Sequence, residues 1–492
     1  VLTAGVILWP GSEGVRNVIA GERTILFTVW GMPFEDLLFR DRYARGFEAS
    51  RPGVRVDYQR YNNDIVMKYN AWHARRKSAD VMRMRITDYH GMAQRGMLRR
   101  LDVAATPDAT GSNRTGFEHP LTEKDLEQIP AHLRELLVVD GPEGRGIYGI
   151  PQDNAQYGLF YNKQIFAAYN AVHADDPLDV PSTQWTWDDL RDAAKRISAW
   201  SRQQKGEQKG QQIGEEIRGF DCAVWSWPFM TLFAQAGGRA WASDGTCTLD
   251  QRNAGVEALR FLRTLIDDGS FRPQLSGYMS GTGPDALFAR GRTALFMDGS
   301  WRIADFDRNA PDLEYAVVPL PRGPERLGGN EAIVSGCVMW AIGAHTEHAE
   351  DAIAMFRYLI APEQAIEYWD TLRVAPPANL AAMQSEGFKQ TRGVLKDADD
   401  PSKGYEIAPM QREKFEDRAA WLVHGVTPGP DGKPPAFVPV GPFQTELEEE
   451  IARMLNEYLK EGSKLEAHEA IRRAADNVRG VMSRAKMGKD EQ

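Results

Sequence analysis

A chain of 492 residues exceeds what one hydrophobic core usually organises, so at least two lobes are expected. Its 42% hydrophobic and 26% charged residues are those of a folded globular chain and exclude wholesale disorder. Because 59 basic side chains face 69 acidic ones, the net charge of -10 repels phosphate backbones, and nucleic acid is not an expected partner.

The chain opens on "VLTAGVILWPG", an apolar run without a basic flank and shorter than the roughly 20 residues of a membrane span. It reads as the rear half of a signal peptide or anchor, residues 1–23. From Thr24 the pattern alternates strand and helix. "TILFTVW" is a continuous apolar strand, Phe39, Tyr43 and Phe47 recur at helical spacing up to "SRPG", "VRVDYQRY" alternates as a strand, and "ADVMRMRI" leads into a helix through Met92. That order predicts an α/β lobe on a mostly parallel sheet, with ligands beyond the carboxyl ends of its strands.

Further along, Thr186 and Asp189 form a capping box ahead of a helix carrying Leu190, Ala193, Ala194 and Ile197 on one face. The polar stretch from Ser201 to Gly219 predicts an exposed loop or hairpin. Val256, Leu259, Leu262 and Ile266 mark a helix stopped at Gly269, and Pro362 opens the second of two helices at a position where a missing N–H costs nothing. Thr445 and Glu448 suggest another capping box, and a last helix is expected from about Leu465 to Met482. "ALFMDGSW", Ala294 to Trp301, reads as a short buried strand that breaks into a small polar turn and then presents a tryptophan.

Chemistry is sparse. No phosphate-binding loop, zinc-protease helix, hydrolase elbow or dinucleotide fingerprint occurs, and no cofactor or metal is expected. His345 and His348 read as a solvated helix end sooner than as metal ligands, for want of a third ligand. Three cysteines, Cys222, Cys247 and Cys337, make no disulfide framework, and whether Cys222 pairs with Cys247 is open. The positive signal is aromatic. Trp30, Tyr157, Trp225, Trp227 and Trp301 lie at strand ends or in loops, where rings can stack on the apolar faces of a sugar. Asp88, Asp153, Asn154, Gln156 and Asp298 are nearby groups able to hydrogen-bond its hydroxyls.

In order, these segments resemble the family 1 extracellular solute-binding proteins of ABC-type sugar importers, relatives of the maltodextrin-binding protein. "TILFTVWG" with "FEASRPGVRVDY", "ADVMRMRITDYHGMAQRGMLRRLD", "YGIPQDNAQYGLFYNKQIF", "TWDDLRDAAKRI", "FAQAGG", "GVEALRFLRTLIDDG", "ALFARGRTALFMDGSW" and "VVPLP" carry the likeness from Thr24 nearly to the C-terminus. The resemblance implies a two-lobed periplasmic-binding-protein fold of α/β class, with a hinge crossed three times near Ala155, Gly328 and Ala378. One lobe would hold 24–155 and 328–378, the other 156–327 and 379–492. It further implies a periplasmic or extracytoplasmic monomer, tethered or not through its N-terminal run, that breaks no bond and delivers a sugar or oligosaccharide to an ABC permease. Ligand contacts are implied for Trp30, Arg85, Thr87, Asp88, Asp153, Asn154, Gln156, Trp225, Trp227, Asp298 and Trp301. The basic pair Arg83 and Arg85 departs from the family pattern and points to an anionic sugar. A carbohydrate-active enzyme, which needs two carboxylates across a cleft, and a ligand-sensing receptor partner are the alternatives.

Overall fold

The computed structural model describes residues 22–31, 35–61, 65–107, 114–207, 216–274, 283–389, 394–396, 404–406, 412–429, 432–441 and 443–490. The N-terminal apolar run, up to residue 21, lies outside them.

Eleven strands build the two main sheets: β1 (Arg23–Trp30), β2 (Val54–Tyr61), β3 (Val81–Arg85), β4 (Gly149–Pro151), β5 (Ala155–Asn162), β6 (Arg218–Cys222), β7 (Thr293–Gly299), β8 (Tyr315–Val318), β9 (Ile333–Gly336), β10 (Val338–Ile342) and β11 (Ala436–Phe437). The first sheet runs β2-β1-β3-β10-β4. β1 is parallel to β2 and β3, whereas β10 is antiparallel to β3 and β4. The second runs β6-β7-β5-β9-β11, with β8 also pairing with β5. β6 and β7 are parallel, and β5 is antiparallel to β7, β8 and β9. Every residue of β7 is buried, which is why the strand reads as an unbroken apolar run instead of an alternating one.

Each sheet has its own core. In the first, Phe27 and Phe39 pack on Trp340 with ring centroids 5.6 and 5.8 Å apart. In the second, β5 sends Tyr157, Leu159 and Tyr161 into one core and Phe160 into another on the opposite face, where Phe288, Phe296, Phe306 and Tyr315 surround it. The helix expected around Phe39, Tyr43 and Phe47 is present, but a π-helical stretch, Phe39–Ala44, interrupts it and brings Phe39 and Tyr43 inward together.

The sheets are joined by three neighbouring segments. The first runs from β4 to β5 through Gln152, Asp153 and Asn154. The second is Cys337 alone: β9 still pairs with β5 of the second sheet, and β10, one residue on, belongs to the first. A third, Arg373 to Asn379, follows the helix Pro362–Leu372. Pro362 does open that helix. The box of Thr186 and Asp189 forms, with Asp189 Oδ2 accepting from both the Thr186 N–H and hydroxyl at 2.7 Å. The box expected at Thr445 does not: the helix begins at Gln444, so Thr445 sits inside its first turn and Glu448 is released for other contacts. The last helix, Ala467–Asp490, starts later and runs further than expected. The polar stretch after Ser201 is partly helical, since Trp187–Glu207 is one helix, and 208–215 lie outside the described residues. All three cysteines are buried and free, so Cys222 and Cys247 do not pair.

Candidate functional site

Four aromatic rings converge where the second sheet meets the hinge. β6 and β7 are parallel neighbours, so their carboxyl ends lie side by side, and each is followed by a helix with tryptophan at its cap or in its first turn. Trp225 and Trp227 stand at the head of the helix Ser226–Gln235, and Trp301 opens the helix Trp301–Asn309. β5 runs the other way and pairs Tyr157 with Gly299, which places Tyr157 among them. Trp225 and Trp227 are near-parallel at 6.1 Å and 25°. Tyr157 meets Trp301 edge-on at 5.5 Å, and Trp301 meets Trp227 edge-on at 6.3 Å. The Trp225 indole N–H donates to the Tyr157 hydroxyl at 2.9 Å.

Two glycines make room for this box. A Cβ on Gly299 would lie 2.2 Å from the Trp301 ring, and one on Gly336 would lie 2.0 Å from Trp227. Neither needs a left-handed backbone; each is glycine because a ring lies flat against its Cα. All three tryptophans remain half-buried, whereas Tyr157 is fully buried, so Tyr157 supports the box and the tryptophans keep surface for a ligand.

Glu448 adds a carboxylate. On the helix Gln444–Tyr458 it accepts from Gln444 Nε2 at 3.0 Å and from the Trp227 indole. Burial raises its pKa, while those two donors and the positive field of Arg85 oppose the rise and Asp88 adds to it. Arg85 and Asp88 belong to the first lobe, at the carboxyl end of β3 and in the following helix, Ile86–Gln94, which the Glu448 helix touches. The two lobes therefore meet beside the aromatic box.

The other expected contacts divide by burial. Arg85 is exposed and paired with Asp88 at 2.9 and 3.2 Å, and Thr87 is half-buried next to them. Trp30, at the end of β1, is half-buried against the first core and its carbonyl accepts from Arg83. Arg83 itself is buried: Nε donates to Gln152 at 2.7 Å, Nη1 lies 3.1 Å from Glu35, and the guanidinium covers Phe39 at 4.7 Å. Arg83 is thus a structural cation.

Asp153, Asn154, Gln156 and Asp298 are fully buried and engaged by protein partners. Asp153 accepts from the Val338 N–H at 2.8 Å and the Tyr368 hydroxyl at 3.0 Å, tying the first hinge segment to the start of β10 and to the helix before the third. Burial raises its pKa to about 6 against the pull of Arg83. Asn154 Oδ1 accepts from Ser335 at 2.6 Å and meets His132 at 3.2 Å; burial lowers that histidine to about 4. Gln156 donates to the Leu422 carbonyl at 3.0 Å, and Asp298 anchors Arg302 at 2.8 Å. These four brace the hinge and the box floor.

A family model for bacterial extracellular solute-binding proteins matches residues 42–396. The chain belongs to that family. Its fold agrees with solved structures over nearly its whole length. The GacH receptor of Streptomyces glaucescens, determined unliganded and with acarbose, is 19% identical, covers 94% of this chain and 98% of its own, and superposes with TM-score 0.67. The sugar-binding protein MalE of Xanthomonas citri is 15% identical over 96% of this chain and 100% of its own, TM-score 0.67. A binding protein for cyclic alpha-maltosyl-1,6-maltose from Arthrobacter globiformis is 18% identical over 94% and 99%, TM-score 0.65. Among curated relatives, one from Brucella abortus (strain 2308) bearing the general name of a binding protein is 22% identical over 62% of this chain; the match spans 65% of that relative.

Two members of the cluster around Trp227 are absent from the ligand contacts that the sequence suggests: the buried support Tyr157, which reads only as one aromatic among several, and Glu448, which reads as a cap partner. Gln444 and Glu448, four residues apart, fall on one helical face. No signal along the chain ties that face to Trp227.

Proposed function

We propose that this solute-binding protein captures a sugar or oligosaccharide between its lobes and delivers it to an ABC-type permease outside the cytoplasm, as a monomer. The observation that carries the reading is the box of Trp225, Trp227 and Trp301 on Tyr157, with the Glu448 carboxylate at its edge. Flat rings match the C–H faces of a pyranose, and a carboxylate accepts from its hydroxyls. The names of the structural neighbours, which mention acarbose, maltose and a cyclic maltosyl-maltose, agree with this class. We assign the first lobe to 22–151 and the stretch from Val338 to Leu372, the second to the rest, with the hinge at 152–154, Cys337 and 373–379. Opposing groups sit on different lobes, so a ligand that touches both favours the closed form.

The rim favours a neutral sugar over an anionic one. Arg83 is neutralised by Glu35, Arg85 is paired with Asp88, and Glu448 contributes a further carboxylate. A thermal-shift screen with neutral and anionic oligosaccharides, products checked by chromatography, tests this. A neutral sugar at a hundred times its dissociation constant should stabilise the protein by about 2.7 kcal/mol and be recovered intact. Cleavage would make the protein an enzyme, and stabilisation by none of the sugars would remove the ligand class while leaving the family in place.

A further inference from the structure

A second concavity lies at the other end of the helix that carries Trp227. The helix Ser226–Gln235 ends in Ala236, Gly237 and Gly238, and the chain then turns to Arg239. Gly237 has φ +82° and its Cβ position lies 2.9 Å from the Leu327 carbonyl; Gly238 lies against the Phe233 ring at 2.4 Å. Together they keep the floor low. With Leu327 and Gly328 as the opposite wall, they bound a cavity of about 380 Å³, a volume in the range of small-molecule sites.

Arg239 and Arg252 are the cations lining it. Both are exposed, and among the described residues neither forms an ion pair. Neighbouring arginines do: Arg326 and Arg260 both hold Glu257, and Arg479 holds Asp250. Arg252 is also held in an unusual backbone conformation. It and Asn253 have φ +58° and +61°, two consecutive left-handed residues without glycine, and only four non-glycine residues of the described chain have positive φ. Such conformations persist where surrounding structure imposes them, and they cluster at ligand sites.

We propose that this cavity binds an oxyanion, the phosphate or carboxylate group of a small molecule, between the guanidiniums of Arg239 and Arg252. Guanidinium forks match the planar or tetrahedral oxygens of such groups. The site lies across the length of a ten-residue helix, roughly 15 Å, from the aromatic box, so it does not depend on what the box binds.

Titration calorimetry and thermal shift of the full chain with inorganic phosphate, glucose 6-phosphate and citrate, each against potassium chloride of equal ionic strength, test the site. A saturable signal is expected from at least one of the anions, at least tenfold weaker in Arg239→Ala and Arg252→Ala and unchanged in Arg326→Ala. A stronger response to glucose 6-phosphate or citrate than to inorganic phosphate would tell an organic ligand from a free ion. The proposal is overturned by no saturable signal, by potassium chloride reproducing it, or by a signal that survives in the Arg239→Ala/Arg252→Ala double variant.

Discussion

At the scale of single residues, the box and the hinge make opposite demands on their side chains. Trp227 is half-buried, touches Tyr157, Trp225 and Trp301, and donates to Glu448, so its removal strips a platform and frees a carboxylate at once. Trp227→Ala should weaken binding of whichever sugar the screen selects by tenfold or more, about 1.4 kcal/mol, with a smaller effect on melting temperature. Calorimetry on the two proteins measures it, and equal affinities would take the box out of the binding site. Asp153 is the contrasting case: fully buried and spent on Val338 and Tyr368. Its pKa rises on folding from an ordinary 3.8 to about 6, so the folded state binds its proton more tightly than the unfolded state. The stabilisation this gives is fully present below pH 3.8 and is lost as pH rises through 6. Asp153→Asn removes that dependence. The melting temperature of the wild type relative to the variant should therefore climb as pH falls from 6 to 4, and a constant difference across that window would show that Asp153 does not titrate there.

Elements show which parts of the molecule are legible in a sequence and which are not. β1, β2, β3 and β7 are readable because a strand buried on a face carries its own pattern, and the Thr186 cap because its partner sits three residues away. Local signals fail where a long-range contact competes. Thr445 has the spacing of a cap, but the helix starts at Gln444 and Glu448 turns to Trp227, more than two hundred positions earlier in the chain. The same limit explains the site. Trp225, Trp227 and Trp301 stand out as rings at strand ends, whereas Asp153, Asn154, Gln156 and Asp298 have the right chemistry and only the fold reveals that they are fully buried. Gly336 is the least legible residue of all: an unremarkable glycine at a strand end that sets the seat of Trp227. Gly336→Ala should push the ring off that seat, disturb the near-parallel Trp225 and Trp227 pair, and cost about 1–3 kcal/mol by overpacking. Near-ultraviolet circular dichroism reads the ring pair directly; an unchanged spectrum would mean that Trp227 has another place to go.

For the whole molecule, the question is what holds two lobes together when three thin segments join them. The first segment is bonded to the third and to the elements beside the other two: Asn154 N–H to the Pro376 carbonyl at 2.8 Å, Gln152 N–H to the Val338 carbonyl at 2.7 Å, and the Asp153 carboxylate to both Val338 and Tyr368. Such a hinge bends as a unit, so the balance between open and closed is set mainly by the surfaces that meet across the cleft. One charged meeting point in this structure is Glu448 of the second lobe against Arg85 and Asp88 of the first, where one cation serves two carboxylates. Arg85→Glu would leave three carboxylates facing one another without that cation. Repulsion across the cleft should then favour the open form, giving a larger radius of gyration by small-angle scattering at low salt and weaker ligand binding, because closure must first overcome the added bias. The effect should fade as salt approaches 1 M, where the screening length falls to about 3 Å. If the variant scatters identically to the wild type at every salt concentration, closure is governed by the hinge segments themselves and not by the charges on the rim.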